Sequence, residues 1–90
     1  MTEPRDVKIK RLHMRSIRRG IKEMDLILSD YATKHLPGLS DADLDLYDQL
    51  LSESDLEIYS WITGQKSAPA HYAQMMETVV AGAHGLTRPN

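Results

Sequence analysis

The chain has 90 residues, 41% hydrophobic and 27% charged, too apolar for a wholly disordered polymer and long enough for one small core, so a single domain over residues 1–90 is expected. It has no cysteine, which excludes a disulfide framework, a thiolate metal site and a cysteine nucleophile. Its net charge of −2 hides a polarity: residues 1–24 carry eight basic and three acidic side chains, and residues 25–90 carry three basic and ten acidic ones. Such segregation suits either a charged partner for one end or a basic helix laid against an acidic one within the fold.

Apolar residues recur with helical spacing and no segment alternates with period two, so the chain reads as all-α. A first helix is expected over about Arg5 to Ile17, with Val7, Ile9, Leu12 and Met14 as its apolar positions. A second is expected from about Gly20 to His35. Ile17, Ile21, Met24, Leu28 and Tyr31 then lay one stripe across the junction of the two. Pro37-Gly38 stops that helix. Ser40, with Asp43 three residues on and Leu39 and Leu44 as a hydrophobic staple, opens a third helix whose apolar face is Leu44, Tyr47, Leu50 and Leu51. Ser54 and Glu57 form a capping box for a short fourth helix carrying Ile58, Tyr59, Trp61 and Ile62, which Gly64 is placed to close. Beyond Ser67-Ala68-Pro69, the residues Tyr72, Met75, Met76, Val79 and Val80 make a fifth stripe. The ordered core is expected over about residues 5–83, with 84–90 as a frayed tail. The expected architecture is a small five-helix bundle with Leu28, Tyr31, Leu44, Leu51, Ile62, Met76 and Val79 in one core.

Several chemistries are disfavoured by spacing. Asp41, Asp43, Asp45 and Asp48 resemble the opening of a calcium loop, but Leu46 and Ser52 stand where that loop needs glycine and a bidentate glutamate. These aspartates read as a helix first turn and a solvated face. His13, His35, His71 and His84 are scattered and form no local ligand set, so no metal is expected. No nucleophile elbow or phosphate-cradling glycine loop is present, so neither catalysis nor a cofactor site of its own is expected. The basic start offers an alternative function, a helical nucleic-acid-binding domain, although no aromatic interleaves its charges. No apolar run reaches the ~18–20 residues of a membrane span, and the start lacks a leader-like stretch. A bacterial cytoplasmic address is expected, or the mitochondrial matrix for a mature organellar form.

The segment Arg18-Arg19-Gly20-Ile21-Lys22-Glu23-Met24-Asp25 is poorly accounted for by helix formation alone. A helical glycine costs about 0.8–1.0 kcal/mol against alanine, and an Arg19–Glu23 pair at i,i+4 is worth only a few tenths. Here the chain resembles the succinate dehydrogenase assembly factor 2 family, whose hallmark is R-G-x-x-E within R-R-G-x-x-E-x-D. The match is Arg18-Arg19-Gly20, Glu23 and Asp25, leading into Leu26-Ile27-Leu28. A second matching stretch runs through Tyr47-Asp48-Gln49-Leu50-Leu51, Asp55-Leu56 and Tyr59-Ser60-Trp61-Ile62-Thr63-Gly64. The resemblance implies a five-helix chaperone, without catalysis, that binds the flavoprotein subunit of succinate dehydrogenase (in some bacteria fumarate reductase) and promotes covalent attachment of FAD to it. It implies Arg15, Arg18, Arg19, Gly20, Glu23 and Asp25 as the partner-binding residues. Gly20 would allow close approach of the client backbone, and Arg19 and Glu23 would make charge-assisted contacts to it. FAD would belong to the client, and the chaperone is expected to act as a monomer without nucleic acid or membrane insertion. The first helix departs from the family pattern in carrying Leu12-His13-Met14 where an aromatic usually precedes the arginines.

Overall fold

The computed structural model describes residues 3–83. Five helices follow in order: α1 (Arg5–Ser16), α2 (Lys22–His35), α3 (Asp41–Leu51), α4 (Asp55–Thr63) and α5 (Ala73–Ala83). Short 3-10 turns at Leu36–Gly38 and Ala70–Tyr72 follow α2 and precede α5. No strand occurs among the described residues. The expected tail at 84–90 lies outside them.

The starts of α3 and α4 are set locally. Ser40 Oγ accepts the Asp43 amide and Ser54 Oγ the Glu57 amide, each at 3.1 Å, which satisfies a helix-end donor in both places. α4 ends where Gly64 takes φ +83°, a left-handed conformation that costs a residue with a side chain about 1–2 kcal/mol.

The expected apolar stripe across residues 17–31 is broken. α1 stops at Ser16, Ile17 is extended, Arg18 sits at φ +57°, and extended Ile21 caps α2, which begins only at Lys22. Gly20 is therefore a turn residue and not a helical one. The break falls at the expected junction between the first helix, ending near Ile17, and the second, starting near Gly20, and is one to two residues wider on each side; a distant segment described below is bonded to it.

The apolar faces of all five helices meet in one cluster, with Leu12, Met24, Leu28, Leu44, Leu50, Ile58 and Val79 sealed from solvent. Leu28, Tyr31, Leu44, Leu51, Met76 and Val79 are buried as expected. Ile62 is only partly buried, because it lies in the last turn of a nine-residue helix at the rim of the cluster. Trp61 is likewise at the rim, its ring 5.8 Å from that of Tyr72.

α1 and α3 are joined by a ladder of opposite charges. Arg5 pairs with Asp41 at 2.8 Å, Lys8 with Asp45, and Arg11 with Asp48 at 3.0 Å while also holding Glu3 at 2.9 Å; Arg15 shares Asp48. The partner numbers rise together along the ladder, so the two helices run parallel. The aspartates of α3 are thus not merely a solvated face, because three of them neutralise α1. Arg11 holds the Asp48 carboxyl below its usual range by direct hydrogen bonding, against an opposing effect of burial. Beneath the ladder Ser16 Oγ donates to the Leu12 carbonyl at 2.8 Å and so accepts from the Tyr47 hydroxyl at 2.6 Å. Burial pushes the Tyr47 phenol well above its ordinary pKa.

Candidate functional site

The turn between α1 and α2 is shaped by a residue 35 positions away. Asp55 is the first residue of α4, and its backbone is fixed by the Ser54 cap. Its Oδ1 accepts from Arg19 Nε at 2.7 Å and lies 2.6 Å from Nη2 as an ion pair, and its Oδ2 accepts from the Gly20 amide at 2.7 Å. Both side chains are largely buried, Arg19 13% and Asp55 16% exposed. Arg19 Nη1 also donates to the carbonyls of Arg15 at 3.1 Å and Leu51 at 3.2 Å. The Arg19 amide closes the turn onto the Asp25 carboxylate. One planar guanidinium thus reaches the carboxylate with Nε and backbone carbonyls with its other nitrogens, which lysine does not reproduce.

The six residues implied as partner-binding therefore separate into two groups. Arg15, Arg19 and Asp25 are engaged within the chain, Arg15 through Asp48 and, at 3.2 Å, Ser52 Oγ. Gly20 gives its amide to Asp55. Arg18 is exposed and Glu23 half-buried, and neither makes an ion pair or side-chain hydrogen bond among the described residues. The local Arg19–Glu23 pair considered from the sequence does not form, because Arg19 turns to Asp55 instead. Next to Arg18 a shallow groove runs along α2, lined by Ile17, Asp25, Leu26, Ser29 and Thr33. Leu26 is 47% exposed, and Leu56, the neighbour of Asp55, is 74% exposed. Arg18 and Glu23 are thus uncompensated among the described residues, and Arg18 shares the groove with exposed Leu26.

Sequence reasoning missed Asp55 as the organiser. It stands in the second family-like stretch, yet an aspartate in a helix first turn already has a local explanation, so nothing near it points to Arg19. Of the eight basic residues in positions 1–24, five are paired to carboxylates among the described residues, and Lys10, Arg18 and Lys22 are not. The charge polarity is thus largely absorbed by the fold. The three histidines among the described residues are dispersed, His84 lying outside them: His13 bonds Thr33 at 3.2 Å, while His35 and His71 lie against Tyr31 and Tyr72. Among the described residues no group of three His, Asp or Glu side chains is arranged to hold a metal ion, and no helix is long and apolar enough to cross a membrane.

Residues 10–82 match the model of a family described as the flavinator of succinate dehydrogenase. A relative from Mycosarcoma maydis, the mitochondrial succinate dehydrogenase assembly factor 2, is 42% identical over 94% of this chain and 36% of its own length. The factor of the same name from Meyerozyma guilliermondii is 56% identical over 68% of this chain and 45% of its own. The mitochondrial assembly factor 2-A from Drosophila yakuba is 37% identical over 96% of this chain and 57% of its own. The chain spans between about a third and a little over half of the length of these relatives.

Proposed function

Because this chain belongs to the family of succinate dehydrogenase flavinators, we propose that it is a chaperone that binds the flavoprotein subunit of that enzyme and promotes its covalent attachment to FAD. The single observation that carries the reading is the clamped turn. It presents Arg18 and Glu23 without partners among the described residues, while most neighbouring bases are neutralised inside the fold. Charged groups of this kind gain most when a partner supplies their counterparts in a water-poor interface.

The chaperone needs no active site for this. It has only to bind one conformation of the client more tightly than the others, which shifts the client toward the state in which the flavin bond forms. FAD is the cargo of the client, and the side chain that takes it belongs to the client too. The chaperone acts as a monomer at the site of client assembly, the mitochondrial matrix for an organellar protein and the cytoplasm for a bacterial one. The internal pairing of the basic residues argues against the duplex-binding alternative, which needs those charges available to phosphates.

The test is titration of the purified flavoprotein subunit, lacking covalent flavin, with this chain. Saturable one-to-one binding that Glu23→Ala weakens is the expected result. Absence of binding, or binding indifferent to Glu23 and Arg18 together, would overturn the reading.

A further inference from the structure

We infer that Asp55 is the positioning residue of the docking turn: by gripping the Arg19 guanidinium and the Gly20 amide together, it holds the turn in the shape that presents Arg18 and Glu23. The inference rests on the function proposed above and deepens it by dividing the labour within the motif. Arg19 and Gly20 serve the clamp, and contact with the client falls to Arg18, Glu23 and the leucines beside them.

Three observations carry this. Donors from two consecutive residues, Arg19 Nε and the Gly20 amide, meet one carboxylate at 2.7 Å each, with Arg19 Nη2 paired to it at 2.6 Å, on a helix whose start is independently capped. Arg18 holds φ +57°, a conformation an arginine keeps only where its surroundings over-determine it. The adjacent Arg19–Asp55 grip is the constraint at hand. Lastly, a Cβ on Gly20 would lie 3.3 Å from Asp55 Oδ2, tighter than an ordinary contact, while no left-handed φ requires glycine there. A side chain at position 20 would thus press on the Asp55 carboxylate, which would have to give by a few tenths of an ångström.

The test uses Asp55→Asn and the paired variant Arg19→Met/Asp55→Leu. The apolar pair replaces a mostly buried ion pair, an exchange folds often tolerate, so it supplies a folded protein if the single variant does not. Each is studied at a temperature where it keeps the wild-type far-UV circular dichroism. The readouts are hydrogen exchange of the Gly20 amide by NMR, the Kd for the flavoprotein subunit, and covalent flavin at saturating chaperone. The Gly20 amide is expected to exchange at least about tenfold faster while amides within α2 and α3 stay protected. If the competent turn shape falls to about a tenth of the population, the Kd weakens about tenfold, and saturating chaperone restores the flavin yield.

Asp55→Asn leaves Arg19 in place and released from its carboxylate. An unchanged or tighter Kd for that variant would assign Arg19 to the client contact and overturn the inference. A folded paired variant that binds as tightly as wild type would reduce the pair to fold stability, with the same consequence. A Gly20 amide that stays slow in both variants would overturn the clamp while leaving the proposed function standing. Failure of the wild-type chain to bind the subunit would sink that function instead, and the Gly20 exchange would still decide whether the clamp exists.

Discussion

Two adjacent arginines should behave as opposites when each is cut back to alanine. Arg18 is exposed and bonded to nothing among the described residues, so Arg18→Ala should change stability by no more than about 0.5 kcal/mol. Arg19→Ala removes the hydrogen bond and ion pair to Asp55 and three bonds to backbone carbonyls, and leaves a carboxylate that is only 16% exposed with the Gly20 amide as its remaining tie. Removing one partner of a buried pair costs about 3–5 kcal/mol, and the residual exposure places this one toward the lower end. A 90-residue domain holds roughly 5–13 kcal/mol in total. A loss of about 3 kcal/mol in a domain of this size lowers Tm by roughly 12–24 °C. Urea denaturation and thermal melting of the isolated chain, monitored by circular dichroism, read both variants without any client. Equal midpoints for Arg18→Ala and Arg19→Ala would refute the reasoning, because they would show that the Arg19–Asp55 grip contributes nothing to the fold.

The remaining expectations use the same geometry. Hydrogen bonding from Arg11 depresses the Asp48 carboxyl, so its contribution is present above the unfolded value of about 3.9 and is lost as pH falls through the lower folded value. Asp48→Asn should therefore flatten the rise of Tm between about pH 2 and pH 5, and an unchanged acid limb would contradict this. Reversing Lys8 and Arg11 to glutamate sets like charges against Asp45 and Asp48, and should lower Tm by several degrees where Lys10→Glu leaves it unchanged. Glu23→Ala should keep the melting temperature yet sharply reduce covalent flavin in the client. Gly20→Arg should reduce both, since its Cβ meets Asp55 and its side chain obstructs the turn; normal flavinylation by either variant would remove the motif from the mechanism.

What was legible in the sequence was whatever is decided within a turn or two of chain. The caps at Ser40 and Ser54 and the stop at Gly64 stand where local chemistry puts them. The two-ended charge was legible too, but not the register that sets Arg5 on Asp41 and Arg15 on Asp48, since that depends on helix placement. The junction between the first two helices was legible to within about two residues, expected between Ile17 and Gly20 and found between Ser16 and Lys22, but the shape of the turn was not, because it is tied to Asp55 of α4. Within the candidate site, the family-like motif singles out Arg18 to Asp25. The division between Arg18 and Arg19 stays hidden, because two identical side chains differ only in backbone conformation and in a partner far along the chain.

The central claim is that this chain promotes covalent flavin attachment, and the most direct measurement is flavin fluorescence of the succinate dehydrogenase flavoprotein subunit on a denaturing gel. The subunit is incubated with FAD alone, with the wild-type chain, and with Glu23→Ala. A fluorescent band that rises strongly with the wild-type chain and stays near the FAD-alone level with Glu23→Ala is the predicted result. Equal fluorescence in all three lanes, from a subunit that is folded and able to bind FAD, would contradict the account.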